Sequence, residues 1–375
     1  MQRGTITRVP NGWKARYRLG GRSSSERSRT FQRKSDAQAW LADSIAKLNT
    51  GLVIDPNAGR VPFKDAADSW MASRLHIRES TRLSDRSLLD KHVLPTFADL
   101  PISAISPSRV RGWVQALQAK GLAPNTVRAI HRLLSAILGA AVADGVLPRN
   151  VAQGTKLPKA PKSTMRAIPL DRVLALADAI SERYRAMVVV AGTAGLRLGE
   201  TVGLTVAQLH LLERPPRLRV TQQLARVGGR WVVSPPKTAA SVRSVTLPRF
   251  TVDVLAAHMA KFPPHPDGYI FTTPTGTPVD ASNFRTRVWR PLVKAHGLVG
   301  FRFHDLRHSH AGHLIEQGQH PKVIQERMGH GSIQVTLDTY GHLMPGMDDR
   351  VVGALDDALD SARQKPSEGD IGYVG

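Results

Sequence analysis

The chain has no cysteine. Disulfides, thiolate zinc sites, iron–sulfur clusters and cysteine nucleophiles are excluded together, and the composition suits the cytoplasm. Aromatic residues are only 5% of the sequence, so Leu, Val, Ile and Ala must fill the cores that a 41% hydrophobic content supports. Long apolar runs are also missing. The longest nearly apolar stretch, Ala186 to Leu196, has 11 residues and includes a Thr and two Gly. A spanning helix needs about 20, so no membrane partner is expected. Met1-Gln2-Arg3-Gly4-Thr5 carries no apolar signal core. Acidic residues are scarce beside basic ones: 52 Lys plus Arg against 30 Asp plus Glu leave a net charge of +22.

A surplus of that size points at a polyanion, nucleic acid first and an anionic membrane surface second. No Lys/Arg-faced amphipathic helix supports the second. The charge is also uneven. Residues 1–60 carry 12 Lys/Arg against 4 Asp/Glu, and residues 346–375 carry 3 against 7. A basic front and an acidic tail are more than uniform solubility requires. At 375 residues, two or three domains are expected, because single cores rarely exceed ~250 residues.

The fold class expected is multidomain and mainly α with small β-sheets. Residues 1–55 read as a three-stranded sheet plus one helix. Trp13, Ala15 and Tyr17 alternate with Lys14, Arg16 and Arg18, so one face is apolar and the other basic. Ser35 is a plausible N-cap for a helix through about Leu48. A linker-like stretch follows, and residues 61–150 read as an all-helical domain. Its clearest helix bears the stripe Ile130, Leu133, Leu134, Ile137, Leu138 and Ala141, between Pro124 and Gly145. Residues 151–165 form a basic, Pro-rich linker able to wrap a duplex. Residues 166–350 mix helices with strands, the strands read at Leu218–Gln222, Arg230–Val233 and Ser241–Leu247. Residues 351–375 form a C-terminal tail.

Four segments of the third unit carry residues suited to a phosphodiester. In Ala194-Gly-Leu-Arg-Leu-Gly-Glu200, Gly195 ends one helix and Arg197 opens the next. There a guanidinium fork and backbone N–H groups can meet an anion, and Glu200 can hold the Arg. In Ser234-Pro-Pro-Lys-Thr238, Lys237 sits in a turn between strands and can serve as a general acid toward a leaving oxygen. A solvated hairpin lysine is the plainer reading. In His304-Asp-Leu-Arg-His308, one helical turn puts His304 and Arg307 on one face. A zinc site is the rival there, since His304, His308, His310 and His313 cluster; without a His-Glu-x-x-His or a thiolate it is disfavoured. In Met328-Gly-His-Gly-Ser332, glycines flank His330 and Ser332 can cap the next helix. Tyr340 ends that helix beside Gly341, free to move, with a hydroxyl able to attack phosphorus once donors neutralise the phosphate. A tyrosine packed by its ring is the ordinary alternative.

Taken in order, these segments resemble the tyrosine recombinase (phage integrase) family. The stretches that carry the resemblance are Ala194–Glu200, Pro236–Leu247, His304–His308, Met328–Ser332 and Asp338–His342. All six catalytic positions of the family are filled: Arg197, Lys237, His304, Arg307, His330 and Tyr340. The helical domain is similar to the family's core-binding domain. The sheet module is more loosely similar to its arm-type DNA-binding domain. The segment after Glu200 lacks the Trp and Asp often seen there, and Leu211–Arg217 is idiosyncratic.

The resemblance implies a site-specific integrase that works through a 3′-phosphotyrosine on Tyr340. Arg197 and Arg307 would clamp the phosphate oxygens, Lys237 would protonate the leaving 5′-oxygen, His304 would assist proton movement at the nucleophile and His330 would donate to the phosphate. No cofactor, metal or nucleotide is implied. The implied partners are double-stranded DNA attachment sites, three further copies of the chain in a homotetramer, a host DNA-bending protein and a directionality factor. The implied location is the bacterial cytoplasm, at the nucleoid when acting. Alternatives are a chromosome or plasmid dimer resolvase of the same family, a catalytically silent DNA-binding protein, and a metal-dependent hydrolase. Val351, Leu355 and Leu359 form a stripe in the tail that can dock on a neighbouring protomer or on its own domain.

Overall fold

The computed structural model describes residues 4–18, 26–49, 58–160, 166–236, 238–341 and 347–364. Lys237, the Gly20-Gly21 turn with its Ser cluster, parts of both linkers, His342 and the end of the tail lie outside them. The chain divides into two units, residues 1–162 and 163–375.

In the first unit, β1 (Gly4–Val9), β2 (Gly12–Arg18) and β3 (Glu26–Phe31) form an antiparallel sheet in that order, followed by α1 (Lys34–Asn49). Ala15 and Tyr17 of β2 are buried while Arg16 and Arg18 are exposed, as the alternation predicts. Trp40 of α1 covers the apolar face, its ring 5.4 Å from Tyr17 and 5.7 Å from Phe31. The other face keeps the basic side chains.

The helices of this unit are α2 (Phe63–Ser73), α3 (Glu79–Leu88), α4 (Leu94–Phe97), α5 (Pro107–Ala119) and α6 (Pro124–Ala143), with a π turn at Leu89–Val93 joining α3 to α4. Ser106 caps α5 by accepting from the Arg109 N–H at 3.3 Å. The six stripe residues of α6 are all buried in one core with Phe63, Phe97 and Trp113. Each fully buried Leu or Ile there contributes about 1.5–3 kcal/mol. At 20 residues and a mean hydropathy of 1.3, α6 is long and apolar enough to cross a membrane. Its sequence holds no long continuous apolar run, because Arg128 and Arg132 interrupt it. Both are exposed on the face opposite the core.

The second unit begins with α7 (Leu170–Ala179), α8 (Glu182–Ala194) and α9 (Leu198–Val202). The apolar run noted above forms α8 from Ala186 onward and continues past its end to Leu196. Met187 to Val190 are fully buried, because α7, α10 (Arg249–Lys261) and α13 (Phe303–Glu316) pack around it. A helical stretch that is apolar all round belongs in a core.

The strands are β4 (Leu209–His210), β5 (Arg217–Val220), β6 (Gln223–Val227), β7 (Arg230–Ser234) and β8 (Arg243–Thr246). They make two antiparallel sheets, β4-β5-β8 and the hairpin β6-β7. The strands that flank Lys237 therefore belong to different sheets. The chain between Ser234 and Arg243 thus passes from one sheet to the other, so the expected turn between strands is not a hairpin turn. The chain continues through α11 (Ala281–Asn283), α12 (Arg290–Ala295), α14 (Pro321–Met328), α15 (Ile333–Tyr340) and α16 (Met347–Gln364).

Candidate active site

Gly195 closes α8 with φ +66°. A Cβ there would lie 2.7 Å from His310 Cδ2 and 3.0 Å from Met328 Sδ, so only glycine fits. Arg197 then caps α9, and Glu200 reaches back one turn. Glu200 Oε2 accepts from the Arg197 backbone N–H at 3.0 Å, and Oε1 accepts from Arg197 Nη1 at 2.7 Å. Arg243 of β8 donates Nη2 to Oε2 at 2.9 Å. The Glu200 and Arg243 side chains are 2% and 5% exposed, while Arg197 keeps 32%. Burial pushes the Glu200 carboxyl up; the Arg243 guanidinium and the hydrogen bonds from Arg243 and Arg197 outweigh it and hold it below the usual carboxylate range. Glu200 is thus an anion that holds Arg197 with its outer face open.

Arg307 of α13 is almost wholly buried. Its Nη1 donates to the Gly195 carbonyl at 2.6 Å, and Nη2 donates to the Met328 carbonyl. One side chain thus ties the end of α8 to the end of α14. Burial, then Arg197 and Arg243, push its pKa down to about 9, so it stays charged at neutral pH.

Beyond Met328 the chain turns through Gly329 at φ +64°. A Cβ here would meet Ala240 O, Ser241 Cα and Arg243 Cδ, each at 3.0 Å. Ser241 Oγ donates to the Gly329 carbonyl at 3.2 Å, and Arg243 Nε donates to the Arg327 carbonyl at 2.9 Å. The turn that carries His330 is therefore fastened to the segment that follows Lys237. His330 Nδ1 lies 2.9 Å from Thr336 Oγ1. Burial, then the cations Arg307, Arg197 and Arg243, push its imidazole down to about 4.

Ser332 caps α15, accepting from the Gln334 N–H at 3.1 Å, and α15 ends at Tyr340. The sequence reading expects a movable tyrosine. Tyr340 is instead 1% exposed and packed with Ala311, Ile315, Ile324 and Met328. Its ring lies 12° from parallel with His330, centroids 6.2 Å apart. Burial pushes its hydroxyl up to about 12, against the pull of Arg307 and Arg197. The hydroxyl shares a hydrogen bond of 2.9 Å with Nδ1 of His308.

Arg197, His304, Arg307, His330 and Tyr340 thus come together at the ends of α8, α14 and α15 and the start of α13. Lys237 lies outside the described residues. The four clustered histidines point to different partners. His304 packs edge-on against His308 at 5.0 Å, His308 meets Tyr340, and His310 accepts from Arg327 Nε at 3.0 Å. His313 Nδ1 lies 3.4 Å from Glu316 Oε2. Among the described residues, no group of three or more His, Cys, Asp or Glu gathers as a metal site. Sequence reasoning overlooked His308 and Arg243 as parts of the site. Both lie inside motif stretches, but their partners come from distant segments.

The phage integrase family matches residues 165–346 and the phage integrase central domain matches residues 63–157. A protein named as the prophage phiRv2 integrase of Mycobacterium tuberculosis (strain H37Rv) is 30% identical over 87% of this chain and 88% of its own length. The chain belongs to the phage integrase family. It is a tyrosine-type site-specific recombinase, and the relatives do not favour the silent-binder and dimer-resolvase alternatives. The fold agrees. A Tn1549 transposon integrase in complex with circular intermediate DNA superposes with a TM-score of 0.68 at 21% identity, covering 79% of this chain and all of that one. A lambda integrase dimer bound to a core site superposes with a TM-score of 0.58 at 17% identity, covering 98% of this chain and 97% of that one. The second match takes in the sheet module of this integrase.

Proposed function

We propose that this integrase cleaves and rejoins double-stranded DNA at attachment sites through a phosphotyrosine on Tyr340. The observation that supports it most is the convergence of that hydroxyl with two arginines and two histidines from three other helix ends. Tyr340 Oη attacks the phosphorus in line, and the 5′-oxygen leaves. Arg197, held by Glu200, offers its exposed N–H groups to one non-bridging oxygen. Arg307 offers the N–H groups that its two carbonyl partners leave unused. Fixed donors of this kind need no reorganisation as charge builds on phosphorus. Burial and the neighbouring cationic groups push the imidazoles of His304 and His330 down to about 4, so each is neutral at pH 7 with one N–H, which on His330 is Nε2–H when the Thr336 hydroxyl donates to Nδ1. Lys237 protonates the leaving 5′-oxygen. The covalent bond conserves the phosphodiester, so no nucleotide is consumed, and the guanidinium groups carry the charge that a metal would carry in a nuclease.

In the same reading, residues 61–150 grip the core site, and the basic face of the sheet module in residues 1–55 contacts distal arm sequences. The net charge of +22 suits both roles. Four protomers exchange strands between two duplexes in the cytoplasm, at the nucleoid, with a host bending protein and a directionality factor setting the outcome. On α16, Val352, Leu355 and Leu359 are each about 55% exposed, which suits docking on a neighbouring protomer. The Val351 of the sequence-based stripe lies outside the described side chains.

The test is covalent trapping. Full-length protein in EDTA is incubated with labelled nicked duplexes tiled from the DNA that flanks its gene, beside Tyr340→Phe. A protein–DNA adduct lost in the variant supports the reading. An adduct that survives the substitution refutes Tyr340 as nucleophile.

A further inference from the structure

Two histidines of α13 lie near the nucleophile, and the hydroxyl has chosen between them. Tyr340 Oη is 2.9 Å from His308 Nδ1, within the distance at which a general base takes a proton. His304, one turn earlier, meets the edge of the His308 ring at 5.0 Å and 87°. It is exposed, and among the described residues it forms no hydrogen bond. It is therefore the histidine open to a substrate oxygen. His308 is half-buried behind it with Tyr340 as its polar partner.

We infer that His308, rather than His304, takes the phenolic proton as Tyr340 attacks phosphorus. This rests on the reading that Tyr340 is the nucleophile. With its own proton on Nε2, the neutral imidazole of His308 accepts the phenol hydrogen bond at Nδ1. In cleavage the Oη–H bond breaks and the proton passes to Nδ1. The Oη–P bond forms and the P–O5′ bond breaks. The 5′-oxygen takes a proton from Lys237. In rejoining, the 5′-hydroxyl attacks phosphorus and returns its proton to Lys237, the P–O5′ bond forms, the P–Oη bond breaks and Nδ1–H returns its proton to Tyr340.

The surroundings agree. The charged and titratable groups facing His308 are His304, Asp305, Arg302 and Arg307 of α13 and its N-cap, with Tyr340 at the end of α15 and His330 in the preceding turn. Burial pushes His308 down; Asp305 opposes this, and Arg302 and Arg307 add to it. The resting imidazole is thus unprotonated and able to accept, and Asp305 is the nearby anion that favours the imidazolium once formed. Tyr340 needs such a partner. With its pKa raised to about 12, on the order of one hydroxyl in 10⁵ is ionised at neutral pH.

The test compares adduct formation in single turnover by wild type, His308→Ala, His308→Asn, His304→Ala and Tyr340→Phe, on a nicked duplex that wild type cleaves. The expected loss in His308→Ala is about 100-fold or more. Added imidazoles should restore the rate, and more basic imidazoles should restore more. His308→Asn places an amide near Nδ1; it should keep the contact and stay slow. A 5′-bridging phosphorothiolate, whose sulfur leaves without a proton, should rescue Lys237→Ala but not His308→Ala. The inference is overturned if His308→Ala cleaves at the wild-type rate. It is equally overturned if His308→Asn restores full activity, or if imidazole rescues His304→Ala instead. An adduct in Tyr340→Phe overturns the nucleophile and its base together, which separates that failure from the others.

Discussion

The Arg307 guanidinium donates to the carbonyl of Gly195 at 2.6 Å, across 112 positions of sequence. A second N–H goes to the Met328 carbonyl. The residue assigned to the phosphate is therefore also the bolt that joins two helix ends. An ammonium cannot span both carbonyls and still present a fork to an anion. Arg307→Lys is expected to lower cleavage by about 10²–10³ and to lower the melting temperature as well, measured by adduct formation and thermal melts on one preparation.

Tyr340→Phe should separate chemistry from fold. It removes one hydrogen bond, worth about 1 kcal/mol, and leaves the packed ring in place. Adduct formation should vanish while the mobility shift on the same duplex stays unchanged. A variant that loses DNA binding as well would show that the hydroxyl holds α15 in place.

Glu200 and Arg243 form a pair that is nearly sealed from solvent. Removing one partner of such a pair costs about 3–5 kcal/mol. Arg243→Ala should lose that much in urea unfolding and should also release the His330 turn. The pair predicts a pH effect too. Glu200 has a folded pKa below its unfolded value, so its contribution is complete above the unfolded pKa and fades as pH falls through the folded one. Glu200→Gln should flatten that acid limb.

His310 predicts a separate acid effect at milder pH. It is 4% exposed, and burial, then the nearby Arg327 and Arg307, push it down to about 3. Its unfolded value is 6.5. Between these values the unfolded chain binds a proton that the folded chain refuses, so stability falls as pH drops below 6.5. The slope for one such group is about 1.4 kcal/mol per pH unit. His310→Gln should reduce the slope of unfolding free energy against pH between 6 and 4 by roughly that amount. An unchanged slope would mean that other groups carry the acid sensitivity.

The exposed stripe of α16 predicts a split between single-site and paired-site reactions. A chain that ends at residue 346 should still form adducts on isolated nicked duplexes and should lose strand exchange between two duplexes. Normal recombination by the truncated protein would remove α16 from the assembly.

Helices such as α6 and α8 were legible because their apolar residues recur at helical spacing or run together, as in the α6 stripe and the run from Ala186 in α8. The hairpin β6-β7 was half legible. Arg230–Val233 was read as a strand, yet its partner Gln223–Val227 was missed, although Gly228 and Gly229 have the positive φ of a tight two-residue turn. Helix α10 was missed as well. Its buried positions, Thr251, Val254, Leu255 and His258, mix polar with apolar residues, which blurs the periodicity. Two segments of similar appearance flank Lys237, and nothing in their residues says that they join different sheets. The motif spacing led to Arg197, Arg307, His330 and Tyr340. It could not say which of two histidines one turn apart meets the hydroxyl. That depends on how α15 lies across α13, through contacts 32 residues apart.

The burial of Tyr340 bears on what happens after cleavage. On the mechanism proposed above, the phosphoester forms on a tyrosine that is 1% exposed, so bulk water is kept from it and an incoming 5′-hydroxyl on a docked strand is the expected acceptor. The enzyme then behaves as a strand transferase instead of a nuclease. One phosphoester replaces another of nearly equal energy, and the step runs equally well in both directions.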